Sequence, residues 1–162
     1  MSGIFTELFR SPRTTGAVCA STARLARAMC SAAGVEEAAV VVEIGPGTGA
    51  FTGEIAVRLS PDARFVAVEI NPVLSELLTR AHPQLRVHTC SAVRLPAILA
   101  EEALAPADVV ISGLPWTLFS PFCRDRILLA VRKAMRPGGI FCTFAYVHGA
   151  ALPSFHAFRR RL

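Results

Sequence analysis

Closely spaced cysteines are missing from this chain. Its five cysteines stand at 19, 30, 90, 123 and 142, and no two have the short spacing of a zinc or redox pair. No metal is therefore expected, and the scattered thiols read as buried apolar filler in a reducing compartment. Long apolar runs are missing too, since none reaches the ~18 residues of a spanning helix. No basic stretch followed by an apolar one opens the chain, so no leader is expected and a cytoplasmic location is. Internal repeats and low-complexity tracts are absent. Charge is sparse, at 18% against 52% hydrophobic residues, which excludes a disordered chain. A length of 162 residues suits one core. The charge present sums to +5, which favours anionic partners, nucleic acid or acidic lipid.

What is present is an alternation. Short apolar runs bounded by turn residues fall at 40–44, 65–70, 85–89, 108–112 and 140–146, and they read as buried parallel strands. Helical signals lie between them. Ser21 or Thr22 can cap a helix that runs to Ser31 and ends at Gly34. A second helix covers 51–59. Asn71 before Pro72, and Ser120 before Pro121, each pair a cap with a proline at the first helical position. The helix after Ser120 carries Ile127, Leu128, Val131 and Met135 on one side, and "RPGG" at 136–139 is expected to stop it. These patterns predict an α/β fold, a doubly wound and mainly parallel sheet with helices on both faces. Residues 1–34 read as an amphipathic helical segment preceding a domain at 35–162. Only about 16 residues follow the fifth strand, so the fold is either smaller than a seven-stranded sheet or the sequence is cut short.

The stretch "VVVEIGPGTGAFT", residues 40–52, carries the chemistry. Gly45, Gly47 and Gly49 suit a strand that turns sharply into a helix beneath a closely approaching ligand. Gly45, Gly47 and Ala50 also match the dinucleotide fingerprint loosely. Glu69, twenty positions after Gly49, stands where a carboxylate can accept hydrogen bonds from both ribose hydroxyls. Glu43 separates two ligands. Its charge would repel a pyrophosphate but not an ammonium or a sulfonium, so S-adenosylmethionine is favoured over NAD.

"VVEIGPGTGAFT", "VAVEINP" and "DVVISGLPW" resemble, in order and spacing over roughly 38–146, the first, second and fourth motifs of Rossmann-like S-adenosylmethionine-dependent methyltransferases. That fold has two further strands for which the residues after the fifth strand offer no candidate, so a truncated cofactor-binding domain without catalysis stays an alternative. The resemblance implies that Glu43 and the loop of Gly45, Pro46, Gly47 and Gly49 face the methionine end of the cofactor, that Glu69 holds the ribose and that Ile70 lies against the adenine. Ser91, followed by Ala92, stands where that family carries an acid for the adenine amino group. Gly113 closes the cofactor set, and Leu114, Pro115 and Trp116 are the implied substrate contacts.

Two groups within the family are similar, the bacterial phospholipid N-methyltransferases and the rRNA adenine N6-dimethyltransferases. The rRNA enzymes resemble Asn-Leu-Pro-Tyr in the fourth motif, where the asparagine holds the target base. Gly113 has no side chain for that task, and "SGLPW" is similar to the phospholipid group. An amine-bearing phospholipid, phosphatidylethanolamine above all, is therefore expected ahead of RNA, with the chain peripheral at the inner membrane face. Ile4, Phe5, Leu8 and Phe9 with Arg10 and Arg13, and Phe155 and Phe158 with Arg159, Arg160 and Arg161, suit an anionic membrane surface. The first cluster equally suits a helix packed on its own domain, and the arginines equally suit RNA phosphates. Tyr146, with His148 behind it, is the expected proton acceptor, because both follow the fifth strand at its ligand-binding end.

Overall fold

The computed structural model describes residues 15–144, with side chains from residue 23 onward. Five helices and five strands alternate within them: α1 (Thr15–Ala33), β1 (Val40–Ile44), α2 (Thr52–Arg58), β2 (Arg64–Glu69), α3 (Pro72–Ala81), β3 (Arg86–Thr89), α4 (Leu95–Glu101), β4 (Ala107–Ser112), α5 (Pro121–Ala134) and β5 (Met135–Thr143). The strands form one sheet in the order β3-β2-β1-β4-β5, and every pair in it is parallel. The α/β doubly wound architecture expected from the sequence is therefore present.

Register divides the side chains between two faces. Val41, Val109 and Ile111 pack with Ala26, Met29, Cys30 and Ala33 of α1 and with Ile55 of α2. Leu78 of α3 meets Ala67 on that same side. Val40, Val42, Ile44, Val66, Val68 and Val110 pack on the other side with Leu95, Ile98 and Leu99 of α4 and with Ile127 and Val131 of α5. β1 is buried at all five positions, which is why it reads, apart from Glu43, as an apolar run rather than an alternating one.

The caps at Asn71 and Ser120 and the stop at Gly34 behave as the sequence predicts. Asn71 Oδ1 accepts from the N–H groups of Val73 (2.9 Å) and Leu74 (3.4 Å), and Ser120 Oγ accepts from Cys123 N–H at 3.3 Å. Gly34 follows α1 with φ at 65°, a backbone that glycine adopts without penalty.

Three local expectations are corrected. α1 begins at Thr15 rather than at a Ser21 or Thr22 cap, because a run of small helix-tolerant residues carries the helix through both positions. α4 was not predicted. Its seven residues are few, and Leu95, Ile98 and Leu99 supply its whole apolar stripe. α5 stops at Ala134, before the expected stop at 136–139, but β5 starts at Met135 and takes those residues in, where the sequence pattern starts the strand at 140. The pairing of β4 with β5 jumps from Ala107–Met135 to Val109–Ile140, so the intervening residues bulge outward. Gly138 takes φ of 77° there, and a Cβ on Gly139 would stand 3.0 Å from Asp108 O.

Asp108 fastens this lower end of the sheet. Its Oδ2 accepts from Ala39 N–H (3.0 Å) and Val40 N–H (2.8 Å), and its Oδ1 pairs with Arg136 of the bulge. The terminal clusters expected at a membrane, together with Tyr146 and His148, lie outside the described residues. Among the described residues, no helix is long and apolar enough to cross a membrane, and no cluster of three or more acidic, histidine or cysteine side chains could hold a metal ion.

Candidate active site

β1 has β2 on one side and β4 on the other, and the chain leaves those neighbours in opposite directions. A crevice opens at such a switch point, beyond the carboxyl ends of the strands. Two glycine turns meet there. Gly45 N–H donates to Val68 O, and Gly113 N–H donates to Ile44 O, both at 2.9 Å. The turns are in contact. A Cβ on Gly113 would stand 2.4 Å from Gly45 O, and one on Gly45 would stand 2.5 Å from Leu114 Cδ2. Gly45, Gly47 and Gly49 all have positive φ. A Cβ on Gly47 would meet nothing within 4 Å, so the outer side of this loop is open for a ligand.

Two carboxyl groups sit under the loop. Glu69, at the end of β2 and only 6% exposed, accepts from Gly47 N–H through Oε2 (3.0 Å) and from Asn71 N–H through Oε1 (2.8 Å). It thus ties the glycine loop to the start of α3. Each oxygen keeps a further lone pair for a ligand hydroxyl. Glu43, within β1, is fully buried. Its Oε2 accepts from Thr52 Oγ1 at 2.6 Å, while Oε1 has no hydrogen-bond partner among the described residues. Burial pushes its pKa up to about 8, the Thr52 hydrogen bond opposes that rise, and the nearby Glu69 adds to it.

Glu43 does not carry the standing negative charge expected from its type alone. Burial keeps the ligand-free carboxyl largely protonated at neutral pH, and a cationic ligand would draw the charge out. A diphosphate would raise the pKa further. The preference for a cation survives, with a different physical origin.

The remaining expected residues fall into two groups. Ile70 is 68% exposed just past β2, beside the crevice mouth. Ser91 spends its hydroxyl on Val93 N–H (3.4 Å), and the buried Ala92 packs under α4. Gly113, Leu114 and Pro115 are half-buried at the crevice. Trp116 is in the core instead, 3% exposed. Its ring meets Phe119 and Phe141 edge-on. Its Nε1–H is shared between Ser112 Oγ and Thr143 Oγ1, both at 3.0 Å. Thr52 and Thr143 were not singled out from the sequence. They lie nine residues from Glu43 and 27 residues from Trp116, and only the folded chain makes them neighbours. A cavity of about 470 Å³, lined by Leu59, Phe65, His82 and Arg86 among others, lies toward the opposite end of β2 and β3.

A parallel sheet with a glycine turn at its switch point, an acid at the end of β2 and a second acid buried under the turn defines a nucleoside-binding Rossmann-like domain. Comparison with known proteins makes this specific. The family model described as "Methyltransferase domain" matches residues 42–141, and the chain belongs to that family of S-adenosylmethionine-dependent methyltransferases. The ornithine lipid N-methyltransferase of Singulisphaera acidiphila is 34% identical over 109 residues, covering 65% of this chain and 57% of that protein. Ribosomal RNA small subunit methyltransferase A of Mycobacterium tuberculosis is 30% identical over 118 residues, covering 70% of this chain and 36% of that protein. The chain thus spans less than two thirds of either relative. An O-methyltransferase from Bacillus cereus, solved in complex with SAH, superposes with a TM-score of 0.69 at 17% identity, covering 94% of this chain and 78% of that one; that likeness speaks for the fold.

Proposed function

We propose that this chain transfers methyl groups from S-adenosylmethionine to the amine nitrogen of a membrane lipid headgroup, such as phosphatidylethanolamine or ornithine lipid. The observation that carries the lipid reading is Gly113. A side chain there would collide with the Gly45 carbonyl, so an asparagine that grips a nucleobase has no room. The ornithine lipid relative supports the same choice. The ribosomal RNA relative supports the family equally well but carries its activity on a whole protein far longer than the match.

The cofactor fits the residues present. A buried carboxyl with an orphaned oxygen suits a ligand bearing positive charge, and the open space above Gly47 suits close backbone approach. In this reading Glu43 and the loop of Gly45, Pro46, Gly47 and Gly49 hold the methionine end. Glu69 holds the ribose while anchoring the loop. Ile70 covers the adenine, and the Ser91–Ala92 turn borders it through backbone and hydroxyl groups. S-adenosylmethionine supplies a methyl group already activated by its sulfonium, so the chain's work is orientation and exclusion of water. Leu114 and Pro115 shape the substrate side, and Trp116 holds that turn in place from below. A headgroup amine is mostly protonated near neutral pH, and Tyr146 or His148, just beyond β5, takes its proton.

Calorimetry with S-adenosylmethionine tests the cofactor half. Binding is expected, with Glu69→Ala weakening it by about tenfold or more, equivalent to about 1.4 kcal/mol. Labelled methyl transfer tests the other half, with phosphatidylethanolamine vesicles, ornithine lipid vesicles and ribosomal RNA offered in parallel. Label appearing in the RNA alone would remove the lipid assignment.

A further inference from the structure

We propose that the outer face of α5, together with the turn before it, is the surface by which this domain docks on an anionic lipid bilayer. The inference rests on the lipid-substrate reading and deepens it by naming the face. The exposed positions of α5 are Pro121, Phe122, Arg126, Leu129, Arg132 and Lys133, apolar or cationic without exception. The helix's acid, Asp125, is half-buried. Phe122, Arg126, Leu129 and Lys133 recur at intervals of four, three and four residues, which places them on one stripe. Phe122 is 72% exposed and Leu129 46%. Leu118, in the turn before the helix, is 63% exposed.

Single exposed apolar residues are ordinary on a soluble surface. A stripe of them interleaved with cations and cleared of acids is the pattern of a helix that lies in a bilayer interface. The Arg126 guanidinium stands 5.6 Å from the centre of the Phe122 ring, an arrangement that keeps the charge at headgroup depth while the ring goes deeper. α3 offers the internal contrast. It also exposes apolar residues, Val73 and Leu77, but Glu76 lies between them in an ion pair with Arg80.

Position supplies the second argument. β4 ends at Ser112 and α5 starts at Pro121, after one short 3-10 turn at Trp116–Leu118, so Leu118 and Phe122 stand at the end of the sheet where the crevice opens. A bilayer against this face presents headgroup amines at the crevice mouth, and no lipid has to leave the membrane. The overall charge of +5 draws the protein to anionic lipid over longer range.

Flotation tests the proposal, using the full chain with phosphatidylglycerol-containing vesicles and with pure phosphatidylcholine vesicles. The chain should float with the anionic vesicles. The pair Phe122→Ser with Leu129→Ser, and separately the pair Arg126→Glu with Lys133→Glu, should each lose about tenfold or more in partitioning, while thermal unfolding and S-adenosylmethionine binding stay as in the parent. Equal flotation of parent and variants, or no flotation of the parent, overturns the proposal. So does a concentration-dependent oligomer of the parent that Phe122→Ser abolishes, since the face would then meet protein. Methylation of detergent-dispersed lipid separates the two readings. Variants that keep this activity but lose it on vesicles support the docking face. A parent that floats through this face yet methylates no lipid leaves the docking intact and removes the substrate assignment.

Discussion

Glu43 is fully buried, and that burial changes its titration. A carboxyl with a folded-state pKa of about 8 holds a proton that the unfolded chain has already lost above the ordinary carboxylate range. Folding then becomes less favourable as pH rises from that range toward 8, and flattens above it. The titratable groups beside it are Glu69 on β2 and Cys30 on α1, whose thiol burial pushes up to about 11 and so out of this window. Glu43→Gln should therefore remove most of the fall in apo-protein stability between about pH 5 and 8, as chemical denaturation across that range would record. In the parent, S-adenosylmethionine binding at pH 7 should release a proton, seen as a binding heat that depends on the ionisation enthalpy of the buffer. Glu43→Gln should bind more weakly and release none.

At the scale of elements, the site depends on how the strand ends are fastened. Asn71 caps α3 and, through its own N–H, takes one oxygen of Glu69. Asn71→Ala should cost about 1 kcal/mol by loss of the cap, read as a lowered melting temperature, with Asn71→Gly costing less. At the far end of the sheet, burial alone would raise the Asp108 pKa, but the Val40 N–H, Arg136 and the Ala39 N–H together hold it below the usual carboxylate value. A depressed folded-state pKa adds stability above the unfolded value, and that stability is lost as pH falls through the folded one. Asp108→Asn should destabilise by about 1.5–3 kcal/mol at neutral pH and make acid unfolding less steep, while cofactor affinity changes little because the crevice lies at the opposite ends of the strands.

Across the whole molecule, the candidate site comes from the meeting of separately built parts. β1 and β4 bring two glycine turns together, β1 and β2 place Glu43 and Glu69 beneath one of them, and α5 faces outward beside the other. Gly113→Asn tests that meeting directly. The added side chain must push the Gly45 turn aside, so cofactor affinity should fall by about tenfold or more, about 1.4 kcal/mol. Were the asparagine variant to bind S-adenosylmethionine normally and methylate ribosomal RNA, the steric argument against a nucleobase substrate would fail.

The sequence by itself determined the strand–helix alternation, because each element carries its own apolar run and its own punctuation: Gly34, the glycines of 45–49, Asn71 with Pro72, and Ser120 with Pro121. It also placed Glu43, Glu69 and the two glycine turns, since a local motif needs only local spacing. It missed α4, which has too few residues to show a period, and the bulge at 136–139, whose shape answers to Asp108 on a neighbouring strand. Tertiary structure alone decided that Glu43 is shielded from water, that Trp116 is turned into the core, and that no side chain fits at Gly113. Each of these depends on atoms brought close from distant parts of the chain, and both desolvation and steric exclusion act only over such short range.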